Sequence, residues 1–172
     1  MLLRHVFLLW VVLSLSLGGA SSGQAAALHL TEAQGTVQIN GQVQHVNATL
    51  PYSWAYWHGG ASGHADFQIA LPLHSLPTEP WYLYFLRLGN AYEVRLNGAL
   101  LDSKGDMDAF DQGDYAQIPH LIAIPVGMLR LDNTLQVRIR ADHSRRAGVA
   151  SPWVGPRDAI LPLYDAEYVQ RV

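Results

Sequence analysis

The stretch Ala91-Tyr92-Glu93-Val94-Arg95-Leu96-Asn97-Gly98 (AYEVRLNG, residues 91–98) sets the fold class. Tyr92, Val94 and Leu96 alternate with Glu93, Arg95 and Asn97, a period of two that places one set of side chains on a buried face and the other toward water. Asn97-Gly98 then supplies the residue types that accept the positive φ angles of a tight two-residue turn. The same period returns in residues 135–140, where Leu135, Val137 and Ile139 interleave with Gln136, Arg138 and Arg140.

Working outward, residues 36–47 hold two short alternating runs around Asn40-Gly41, the pattern of a hairpin with a type I′ turn. Residues 65–71 alternate with Phe67, Ile69 and Leu71 inward, and residues 81–88 are apolar at nearly every position, as in a strand covered on both faces. Further strands are expected over residues 115–124 and 159–163, giving about eight. No segment carries a 3.6-residue apolar period for ten residues; one short turn is expected after Pro125, through Gly127 to Leu129. The expected fold is all-β, two stacked antiparallel sheets forming a sandwich or jelly roll.

The N-terminal part reads separately. Arg4 and His5 precede an apolar run over residues 6–17, followed by small residues and Ala25-Ala26-Ala27, the layout of a secretory signal peptide cut after Ala27. Residues 28–172 then form one domain, exported to the periplasm or the outer face of the inner membrane. The chain has no cysteine, so its core must hold it without disulfides. A formal net charge of −3, with no basic stripe, argues against nucleic acid as a partner.

Several motifs follow one another in order: LPYSW (residues 50–54), ADFQIALP (residues 65–72), VRLNG (residues 94–98) and LDNTLQVR (residues 131–138). On them the chain resembles the galactose-binding-like jelly rolls, as in the sugar-binding domain of family-two glycoside hydrolases. With residues 86–98 and the ending over residues 147–169, it also resembles the periplasmic sensor domains of bacterial diguanylate cyclases and histidine kinases. The resemblance covers roughly residues 35–170. It implies a β-sandwich that recognises a small polar ligand, a carbohydrate first. In the sensors a membrane-embedded region follows, which this chain would have if it is a fragment. Ligand binding would then bias its C-terminal end, residues 164–172.

The candidate site residues lie in loops. Trp57 offers an aromatic face for a sugar ring and His58 a group for its hydroxyls, whereas Pro51 and Trp54 belong to the entry motif and read as architecture. Asp102, Asp106, Asp108, Asp111 and Asp114 crowd one loop that contains Phe110. The resemblance makes a structural calcium conceivable there, but the spacing is not that of a calcium loop and a solvated acidic hairpin is preferred. No cofactor is expected. Arg145 and Arg146 read either as a fork for a carboxylate or hydroxyl pair or as partners of the acidic loop. Trp153 reads as a second stacking face or as a seal of the core. With the loops of residues 50–64 and 102–114 as walls, the ligand-binding set is Trp57, His58, Asp108, Asp114, Tyr115, Arg145, Arg146 and Trp153.

Catalytic signals are weak. Gly60-Ala61-Ser62-Gly63-His64 is not a nucleophile elbow, and His45, His58, His64, His74, His120 and His143 lack metal-ligand spacing. No catalytic residue is assigned. The expected role is non-catalytic recognition, as the input domain of a membrane signalling protein; the alternatives are a carbohydrate-binding accessory domain of a secreted glycosidase and a structural interaction module.

Overall fold

A computed structural model describes residues 26–169. In chain order the elements are β1 (Leu28–His29), β2 (Glu32–Ile39), β3 (Gln42–Thr49), β4 (Tyr52–Ser53), α1 (Trp54–His58), β5 (Gly63–Pro72), β6 (Trp81–Phe85), β7 (Ala91–Leu96), β8 (Ala99–Lys104), β9 (His120–Ile124), β10 (Asp132–Ala141), β11 (Gly148–Val149), β12 (Trp153–Pro156) and α2 (Arg157–Val169). A six-stranded sheet runs β3-β2-β5-β10-β7-β8 and a four-stranded sheet β1-β12-β6-β9, with β11 and β4 pairing apart. Every pairing is antiparallel. The all-β sandwich expected from the alternation is what forms. Its described strands number twelve rather than about eight; eight of them are five residues or longer, and of the short ones β4 and β11 pair apart from the two sheets.

The inward set of the opening motif, Tyr92, Val94 and Leu96, lies opposite Ile139, Val137 and Leu135, all fully buried or nearly so. Phe67, Ile69 and Leu71 extend this layer from β5, and Leu83 and Phe85 with Ile122 and Ile124 face it from the second sheet. Both predicted hairpins form, with Asn40 (φ 51) and Gly41 (φ 78), then Asn97 (φ 51) and Gly98 (φ 86), in the left-handed region that a type I′ turn demands. Two motifs far apart in sequence meet through asparagines. Asn97 Nδ2 donates to Asn133 Oδ1 at 2.9 Å, and Asn97 Oδ1 accepts the Thr134 N–H at 3.0 Å. The buried Asn133 also donates to the Leu71 carbonyl at 3.1 Å, tying three strands at one end.

Three expectations are corrected. Residues 159–163 belong to a helix, not a strand. Ile160, Leu163, Tyr164 and Glu167 follow a helical spacing that the run ILPL hides, and Pro162 within α2 removes the usual sign of a helix interior. α2 lies against β6 and β12, with Tyr164 edge-on to Tyr84 at 5.9 Å, and so covers the outer face of the strand expected to be buried on both sides. The segment expected as a strand over residues 115–124 is extended only in β9. Before it, the Tyr115 N–H donates to the Asn90 carbonyl at 3.2 Å and the chain turns. Third, Arg140, expected on the solvent face of its strand, is fully buried.

Candidate functional site

The rim of the sandwich is built by backbone pairing between three loops. β4 pairs β11 with Tyr52 opposite Val149 and Ser53 opposite Gly148, the Trp54 N–H donates to the Ala147 carbonyl at 3.1 Å, and the Ala150 N–H donates to the Arg87 carbonyl at 3.1 Å. Trp54 is completely buried, its Nε1–H donating to the Ala61 carbonyl at 2.8 Å, which anchors α1 as a lid on the core. Between these loops opens a cleft of about 520 Å³ lined by residues of 51–55, 86–88 and 146–150, and by Ala116. Its walls are mainly apolar; Arg87 and Arg146 are the charged residues that line it, and Ser53 supplies a hydroxyl. A volume of this size lies within the usual range for small-molecule sites.

A second depression of about 280 Å³ adjoins it across Pro51, Leu86 and Ala150 and is lined by Tyr84, Trp153 and, from α2, Leu163 and Glu167. Trp153 stacks on His29 with ring centroids 4.1 Å apart, so one of its faces is covered.

The predicted site residues do not form one constellation. Arg146 lines the main cleft and Trp153 the adjoining one. Trp57 stands on α1 at 62% exposure, stacked on Tyr52 with Tyr56 edge-on to it. His58 turns from that face into a separate depression of about 150 Å³ beside Val37, Ile39 and Asn40. Its Nε2 lies 2.5 Å from the Tyr52 hydroxyl, and burial holds the imidazole below its ordinary pKa while raising that of Tyr52. Arg145 parts from its neighbour, 3.9 Å from an Asp111 oxygen and donating to the Gly113 carbonyl at 3.4 Å.

Of the two expected walls, the segment 50–64 lines the cleft and the aspartate loop does not. That loop is folded over Arg140 instead. The guanidinium donates to the carbonyls of Asp106, Ala109 and Gln112, lies 5.8 Å from the Phe110 ring centre, and forms a bidentate pair with the buried Asp142. Asn90, also fully buried, joins this centre to the rim: its Oδ1 accepts the Asp142 N–H at 2.9 Å, and its Nδ2 donates to Asp114 Oδ1 at 2.8 Å and to the Arg146 carbonyl at 3.2 Å.

The aspartates therefore have separate duties. Asp102 accepts the Tyr92 hydroxyl at 2.7 Å, Asp106 accepts the Asp108 N–H at 2.8 Å, Asp114 holds Asn90 and the Ala116 N–H, and Asp108 is exposed. Among the described residues no group of three or more acidic, cysteine or histidine side chains is placed to hold a metal ion. Tyr115 is half-buried; its carbonyl accepts from His120 Nε2 at 2.9 Å. Sequence reasoning missed Arg140, Asp142 and Asn90, because an arginine on the outer register of a strand looks solvated until a loop covers it.

No family model matches the chain, and no curated protein sequence matches it. Solved structures do. A β-glucuronidase from Ruminococcus gnavus, in complex with D-glucaro-δ-lactam, superposes with a TM-score of 0.55 at 16% identity over 74% of this chain and 28% of its own. A GH2 β-galacturonidase from Eisenbergiella tayi bound to galacturonate gives 0.52 at 14% identity, covering 74% and 23% respectively. The chain thus spans less than a third of these enzymes, and at such identity the likeness is one of fold. It matches the resemblance to the jelly rolls of family-two hydrolases that the motifs suggested.

Proposed function

We propose that this domain is a non-catalytic carbohydrate-recognition module that takes its ligand in the 520 Å³ rim cleft. The observation that carries the reading is the cleft itself: an apolar hollow with a few polar groups, its edges fixed by backbone pairing. Such a surface suits the apolar face of a sugar ring, while Ser53, Arg87 and Arg146 offer groups for hydroxyls and ring substituents.

Of the two settings suggested by the motifs, an accessory domain of a glycoside hydrolase is the one favoured by the solved neighbours, both glycosidases. Neither of these neighbours bears on the sensory role. The N-terminal segment, residues 1–25, lies outside the described residues, and export rests on its sequence alone.

Thermal unfolding against a panel of mono- and oligosaccharides tests the proposal. A ligand present at about 100 times its dissociation constant adds roughly 2.7 kcal/mol to the folded state. A saccharide that raises the transition supports the reading; a panel that leaves it unmoved refutes it.

A further inference from the structure

The charges of the rim cleft do not follow those of the chain. The protein is acidic overall, yet two arginines and no carboxylate line this cleft. Four arginines elsewhere are engaged: Arg95 and Arg138 with Glu93, Arg138 also with Asp66, Arg140 with Asp142, and Arg145 beside Asp111; Arg130 and Arg157, like the two at the cleft, form no ion pair among the described residues but line no cleft described above. Arg87 and Arg146 have no ion pair among the described residues, and no hydrogen bond from either guanidinium is formed there. The carboxylate nearest by bonding, Asp114, reaches Arg146 only through Asn90 and is occupied by the Asn90 amide and the Ala116 N–H.

The backbone on which these two arginines stand is held. The carbonyl of Arg87 accepts the Ala150 N–H, and that of Arg146 accepts from the fully buried Asn90. Two guanidinium groups at one mainly apolar cleft, each with five donors and no acceptor, suit an anionic group on the ligand. A ring with hydroxyls and one carboxylate satisfies the apolar walls, the Ser53 hydroxyl and both arginines together.

We propose that the ligand class of the cleft is acidic carbohydrate, a sugar acid whose carboxylate is held by Arg87 and Arg146. The proposal rests on the carbohydrate-recognition reading and narrows it.

The test compares sugars that differ only at the acid group, D-glucuronate with D-glucose and D-galacturonate with D-galactose, by titration calorimetry of the intact chain. At least one acid is expected to bind about tenfold or more tightly than its parent hexose, as a charge-assisted hydrogen bond implies. The substitutions Arg87→Gln and Arg146→Gln, folding checked by circular dichroism, should each reduce the ratio of acid to hexose affinity and together bring it to about one. Equal affinity for acid and hexose overturns the acidic-ligand inference and leaves the carbohydrate reading intact. No binding by any sugar overturns both. An acid preference that survives the double substitution overturns the assignment to these two arginines.

Discussion

Arg140 and Asp142, two residues apart at the end of β10, form a bidentate ion pair with Nε to Oδ1 at 2.7 Å and Nη2 to Oδ2 at 3.0 Å, and both side chains are wholly excluded from solvent. Breaking such a pair leaves a buried charge uncompensated, which costs about 3–5 kcal/mol. Asp142→Ala should therefore lower stability by that amount in denaturant titrations. Asp106→Ala should cost far less, because the Asp106 carbonyl rather than its exposed carboxylate holds the guanidinium. Amide exchange over residues 105–114 should quicken in Asp142→Ala and hardly change in Asp106→Ala; equal effects would contradict this account of the loop.

The aromatic segment of residues 52–58 divides by burial. Trp54 has no exposed surface and Trp57 has 62%. Trp54→Ala should destabilise by about 3–5 kcal/mol, the cost of emptying a buried aromatic site. Trp57→Ala should leave stability within roughly 0.5 kcal/mol of the parent. If Trp57 instead proves as costly as Trp54, its stack on Tyr52 is a structural contact.

Gly148 pairs with Ser53 at a φ of 154, and a Cβ added there would collide with the Tyr52 carbonyl oxygen. Gly148→Ala should then cost more than about 1 kcal/mol and displace the cleft wall. Thermal unfolding reads the first effect and saccharide titration the second. A fully stable variant with unchanged binding would show that this close approach does not shape the cleft.

His120 lies 5% exposed, its Nδ1 3.0 Å from the Tyr92 hydroxyl. Burial pushes its pKa below the ordinary value, more than the Tyr115 carbonyl and Asp102 restore it. As pH falls through about 6.5, the unfolded chain takes up the proton first, so this stabilising contribution is full above that value and declines below it. Denaturant midpoints at pH 7, 6 and 5 should fall in that order, and His120→Gln should flatten the slope. An unchanged slope in the variant would assign the effect elsewhere, His58 being the other imidazole with a lowered pKa.

Much of the fold was legible because period-two alternation is a strong signal where one face is buried. Tyr92-Val94-Leu96 and Leu135-Val137-Ile139 landed opposite each other in the core, and both Asn-Gly turns formed. α2 was not legible, since a helix of thirteen residues with Pro162 inside, in which Ile160 is the one fully buried residue among those whose burial is described, shows little period of its own. The site was read only in part. Arg146 and the 50–64 segment reached the cleft, while the aspartate loop left it because its carbonyls are held by Arg140. That placement depends on a strand and a loop some thirty residues apart, which no local pattern reports.

The central claim is that the rim cleft is where carbohydrate binds. Heteronuclear NMR of the ¹⁵N-labelled chain during saccharide titration tests it most directly. The account predicts amide shifts concentrated in residues 52–55, 86–88 and 146–150, with the neighbourhood of His58 and the 105–114 loop little changed. Shifts centred on that loop or on the His58 depression, or no shifts at any concentration reached, would contradict it.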